Sequence, residues 1–84
     1  MGARRESFNT SVGREGDSAS ARLARNLRRR RIECALSQEA LAAQVGLSQT
    51  YLSQVECGSR NVSLDKIERL AEALQIDVVD LLGL

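Results

Sequence analysis

From residue 18 onward, apolar residues return at intervals of three and four, the spacing that places them on one face of a helix. Leu23, Leu27, Arg31 and Cys34 stand at i, i+4, i+8 and i+11 and predict a first helix, capped by Ser18 or Ser20 and running to about Ala35. Ser37 is placed to cap a second helix, Gln38 to Val45, that buries Leu41, Ala42 and Val45. Gly46 can take the left-handed conformation that ends it, after which Leu47 packs inward. Ser48 caps a third helix ending near Cys57–Gly58. Ser63 caps a fourth, with Leu64, Ile67, Leu70, Ala71 and Leu74 as its apolar stripe. Asp77 caps a short fifth from Val78 to about Leu82. The expected fold is all-α, a compact five-helix domain over residues 18–84 with no internal repeat. Residues 1–17 mix Gly, Ser, Asn and scattered charges without apolar periodicity and predict a mobile arm. Its Arg4 and Arg5 are either within reach of a phosphate backbone or part of a passive tail.

Composition supports the helical reading. The chain has 84 residues, one Phe, one Tyr, no Trp and no Pro, which leaves too few β-branched and aromatic residues to build sheets. No apolar run approaches the ~20 residues of a membrane span and no signal-peptide stretch opens the chain, so a cytoplasmic protein is expected. The two cysteines, Cys34 and Cys57, lack C-x-x-C spacing, and there is no histidine. That argues against a zinc site and against cysteine catalysis, and predicts two reduced thiols in or near the core. With no paired-carboxylate constellation and little chain from which to build a pocket of ~300 Å³, no enzyme, cofactor, metal or small-molecule ligand is expected.

The net charge of +1 conceals a gradient. Residues 18–36 hold six arginines against Glu33, whereas residues 63–84 hold Lys66 and Arg69 against five acids. Such asymmetry fits either an anionic partner on one side or a solvated helical face. Arg31 differs from the other arginines because it falls on the apolar face of the first helix, where a buried charge needs a partner. Arg22, Arg25, Arg28, Arg29 and Arg30 point elsewhere and can stay wet.

The third helix holds the candidate chemistry. At about 100° per residue, Gln49, Ser53, Thr50 and Gln54 fall at roughly 0°, 40°, 100° and 140°, and Tyr51, Val55 and Leu52 at roughly 200°, 240° and 300°. The polar half has no Lys or Glu, the usual residues of a merely solvated face. Gln carries the paired donor and acceptor suited to base edges, and Ser and Thr suit bases or phosphates. Preceded by the second helix and a glycine turn, with small Ala42 where the helices cross, this is a helix-turn-helix arrangement.

The stretch "LSQEALAAQVGLSQTYLSQVECGSRNVSLDKIERLAEAL" resembles the helix-turn-helix domain of the phage repressor and Cro family, also called the XRE family. The likeness runs from roughly Ala21 to Leu82 and rests on Gln38, Leu41–Ala42, Val45–Gly46–Leu47, Leu52, Val55–Glu56, Gly58 and the Ser-Leu start of the fourth helix. It implies that Gln49, Thr50, Ser53 and Gln54 read base edges in the major groove. It also implies phosphate contacts from Gln38, Ser48, Arg60 and Asn61, with Gln38 bracing the reading side chains. Ser48 is equally a helix cap and Asn61 equally a turn residue, and Tyr51 sits at the core edge with a hydroxyl that could reach phosphate. The resemblance further implies a partly buried salt bridge between Arg31 and Glu56. Two departures stand out. Ala40 replaces the Glu of a capping box, and Val62 stands where relatives often have Pro.

The expected function is therefore a sequence-specific transcriptional regulator, a repressor or autoregulator, that binds a pseudo-palindromic operator in double-stranded DNA as a homodimer. Val78, Val79, Leu81, Leu82 and Leu84 exceed what a five-residue helix needs and either form the dimer surface or close the monomer core. "TYLSQVECGSRNVSL" looks especially similar to the controller proteins of restriction–modification operons. The alternative is a protein-interaction module, such as an antitoxin docking a toxin.

Overall fold

Five helix starts are fixed by five short polar side chains. In the computed structural model, which describes residues 18–84, each cap residue is extended and its side-chain oxygen accepts a backbone N–H from the first turn of its helix. Ser18 caps α1 (Ala19–Glu33), Ser37 caps α2 (Gln38–Val45) and Ser48 caps α3 (Gln49–Glu56). Ser63 caps α4 (Leu64–Ala73) and Asp77 caps α5 (Val78–Leu82). Such a cap stabilises by about 1 kcal/mol relative to alanine. At α2, Ser37 Oγ accepts from the Ala40 N–H at 3.0 Å; Ala40 has no side chain to return the bond. The arm expected over residues 1–17, with Arg4 and Arg5, lies outside the described residues. Among the described residues no strand occurs, and no helix is long and apolar enough to cross a membrane.

Leucine fills the centre. Leu27, Leu41, Leu52, Leu70, Leu74 and Leu81, one or two from each helix or its cap, are fully buried, with Val55, Ala42 and Ala71 between them. α1 packs on α3 and α5, α2 on α3 and α4, and α4 on α5. Two expectations need correction here. Leu64 shares the α4 stripe by angle but is 71% exposed, because as the first helical residue it lies beyond the packed part of that face. Cys57 is exposed rather than near the core, while Cys34 is half-buried against it.

The helix ends are closed in two ways. Gly46, at φ +71°, ends α2 and lets the Leu47 N–H reach Ala42 O at 2.9 Å. Ala35 and Gln75 take the same left-handed conformation without glycine's freedom, at a cost of about 1–2 kcal/mol each. They are held by bonds from Leu36 N–H to Arg31 O (3.1 Å) and from Ile76 N–H to Ala71 O (3.0 Å). Side chains then bind the remaining carbonyls from a distance. Arg30 Nε donates to Leu74 O at 2.9 Å, Arg69 Nη1 to Val45 O at 3.0 Å, Arg22 Nε to Leu82 O at 3.2 Å and Asn26 Nδ2 to Leu81 O at 3.0 Å. Cations there also suit the negative end of the helix dipole. Arg22 and Arg30, expected to stay wet, are thus structural.

Candidate nucleic-acid interface

α2, the Gly46 turn and α3 form one unit. Leu52 and Val55, at 0% and 1% exposure, fasten α3 to Leu41, Ala42 and Val45 of α2, so the opposite side of α3 must face out. Gln49, Thr50 and Gln54 are exposed there and Ser53 is half-buried. With Gln38 from the start of α2 they line one open groove. The structure therefore gathers all four expected base readers on a single face, with one of the four expected phosphate contacts beside them.

The other three lie around that face. Ser48 Oγ accepts the Tyr51 N–H at 3.0 Å. The hydroxyl keeps its own proton to donate, so capping and contacting a phosphate are compatible. Arg60 Nε donates to Gln54 Oε1 at 2.8 Å, and its guanidinium carbon lies 4.7 Å from the centre of the Tyr51 ring. Lys66 Nζ sits 5.2 Å from the same ring centre. Tyr51 is thus a half-buried core-edge residue whose ring carries two cations. Asn61 is exposed in the α3–α4 loop and lines a separate groove with Arg60, Val62 and the start of α1.

Behind the face, Arg31 and Glu56 pair through two bonds, Nε to Oε2 at 2.7 Å and Nη2 to Oε1 at 3.0 Å. The side chains are 12% and 4% exposed. Arg31 Nη1 donates to Leu36 O at 2.8 Å, and Gln38 Nε2 donates to Glu56 Oε1 at 3.1 Å. The Arg31 pKa is raised above its ordinary value, first by the hydrogen bond to Glu56; burial opposes this and the Glu56 charge adds to it. The pair ties the end of α1 to the end of α3, and Gln38 joins it to the start of α2.

Sequence reasoning missed the Tyr51, Arg60 and Lys66 stack and the neighbours of the far end of α3. There Arg25 and Arg28 of α1 line a groove with Glu56, Cys57 and Gly58. The clue available was the spacing of Arg25 and Arg28 on one face of α1, but only the packing of α1 on α3 shows what that face adjoins. At the C-terminal end, Leu81 is fully buried in the domain's own core, Val78 and Leu82 are half-buried, and Val79 and Leu84 are 50% and 77% exposed. Of the two roles open for Leu81, its fully buried side chain takes the second and closes the monomer core, so Leu81 is withdrawn from the expected dimer surface.

Comparison with known proteins gives a consistent set. The HTH_3 model, described as helix-turn-helix, matches residues 27–81. Control protein C.BamHI of Bacillus amyloliquefaciens is 51% identical over 47 residues, covering 56% of this chain and 58% of that protein. Control protein C.MunI of a Mycoplasma species is 48% identical over 46 residues, covering 55% and 62%. The chain thus spans less than two thirds of either control protein. The crystal structure of the restriction-modification controller protein C.AhdI from Aeromonas hydrophila superposes with a TM-score of 0.69 at 45% identity, covering 71% of this chain and 91% of that one.

Proposed function

Since the chain belongs to the HTH_3 family of helix-turn-helix proteins, we propose that it is a sequence-specific regulator of transcription that lays α3 in the major groove of double-stranded DNA. The outward row of exposed Gln49, Thr50 and Gln54 with half-buried Ser53 carries this reading. These side chains offer donors and acceptors to base edges, and Leu52 and Val55 fix the helix that presents them. Ser48, Gln38, Arg60 and Asn61 supply backbone contacts around it. Gln38 retains one amide hydrogen for a phosphate after serving Glu56, and Arg60 retains the four N–H groups not used on Gln54. The likeness to control proteins and to C.AhdI supports regulation of a restriction–modification operon, and we place that activity in the cytoplasm. The toxin-docking alternative draws no support from these relatives.

Selection of binding sites from random duplexes tests the reading. An enriched, two-fold related sequence is expected, and absence of any enrichment sinks it. Gln49→Ala then loses discrimination at one base pair of each half-site, by about 1–3 kcal/mol; equal weakening on every sequence would remove Gln49 from base reading.

One such helix discriminates too few base pairs, and pairing two over half-sites ~34 Å apart is the usual remedy. We place the pairing surface at α5, where Val79 and Leu84 are exposed beside half-buried Val78 and Leu82. Val79→Asp is expected to convert a dimer into a monomer in sedimentation and to weaken binding to a full operator more than to a half-site. An unchanged sedimentation coefficient would move the interface elsewhere.

A further inference from the structure

We propose that Arg60 is a positioning residue that orients the Gln54 amide and occupies part of its acceptor capacity, directing it to guanine and away from adenine. This inference rests on the DNA-binding reading above. A guanidinium has only donors, so the Gln54 atom 2.8 Å from Arg60 Nε has to be the carbonyl oxygen. The orientation of the amide follows from that chemistry. Arg60 is itself held, with its guanidinium carbon 4.7 Å from the Tyr51 ring centre, a geometry in which the ring face attracts the cation. Tyr51 is anchored against the core. A chain of contacts therefore runs from the domain's interior through Tyr51 and Arg60 to the amide of Gln54.

The consequence lies in what Gln54 has left. A free glutamine reads adenine by donating to N7 and accepting from the N6 amino group. One of the two lone pairs of Oε1 is taken by a cation, in a charge-assisted bond stronger than a neutral one. An adenine amino group would therefore have to share that oxygen with Arg60, while both amide hydrogens stay free to donate. Guanine offers acceptors at both O6 and N7, and cytosine offers an amino donor that would meet another donor. Arg60 thus acts on base choice through Gln54 while its remaining N–H groups stay available for a phosphate.

The test is a cycle of affinities. The base pair assigned to Gln54 is the one at which Gln54→Ala loses preference in selection. Duplexes carrying guanine or adenine there are compared for wild type, Arg60→Ala, Gln54→Ala and the double variant. Taking the ratio of the two affinities for each protein cancels any uniform loss of phosphate contact. Wild type is expected to favour guanine by about tenfold, the scale of one good base contact. Arg60→Ala is expected to erase or reverse that ratio, and to leave it unmoved when Gln54 is already alanine. An unchanged ratio in Arg60→Ala, or a wild-type preference for adenine, overturns the proposal while leaving the DNA reading intact. Failure of wild type to enrich any sequence overturns both.

Discussion

Glu56→Ala lowers the free energy of unfolding by about 3–5 kcal/mol, the cost of removing one member of a buried ion pair. Glu56 is 4% exposed and accepts from Arg31 through two bonds and from Gln38 through a third. Without it the Arg31 guanidinium, 12% exposed, keeps only Leu36 O as a hydrogen-bond partner among the described residues, so a charge remains in the interior with little to offset its lost hydration. Gln38 loses its bond at the same time. Small domains typically hold 5–15 kcal/mol in all, so the loss is a large fraction of the total. Arg31→Ala is expected to cost a similar amount, and the double variant clearly less than the sum, because each single change strands the other partner. Urea midpoints at constant m provide the measurement. Coupling near zero would mean the pair behaves as an exposed one, worth ~0–1 kcal/mol.

Leu52→Ala is the second large effect. Leu52 is fully buried and belongs to the same short helix that presents the polar row. Truncation removes three carbons from a close-packed site and leaves a cavity, which costs about 2–5 kcal/mol. In a domain of this size each kcal/mol lowers Tm by about 4–8 °C. Thr50→Ala, two residues away and exposed, is the internal control, with a stability change within about 0.5 kcal/mol. A Leu52→Ala protein that melts with wild type would show that α3 is held by the Arg31–Glu56 pair and not by its apolar side.

Local patterning made most of this fold readable. Each helix start was set by a short polar residue beside an apolar series, so four caps and the polar half of α3 could be placed from sequence alone, and the first narrowed to Ser18 or Ser20. Burial was readable where a residue lay within a stripe, as for Leu70, and misread where it lay at the stripe's end, as for Leu64. What sequence could not show depended on partners far apart in the chain. Arg22 and Arg30 looked like solvated charges because the carbonyls they bind belong to residues 82, 74 and 75. Gln54 and Arg60 looked like independent contacts because nothing in the spacing says that the loop after α3 folds back onto it. Leu81 and Val79 stand two apart on a helix too short to show a periodicity, so only packing distinguishes core from surface there.

The bonds from Arg22 and Asn26 to the end of α5 join residues 60 and 55 positions apart. α1 is made early and its packing is completed by a helix made near the end of this sequence. On a ribosome, α2, α3 and α4 would emerge while α1 still lacked the Leu81 side chain that closes its core. Folding of this domain is therefore expected to await the last helix and then occur as one step, with the closure of that long loop contributing to the barrier.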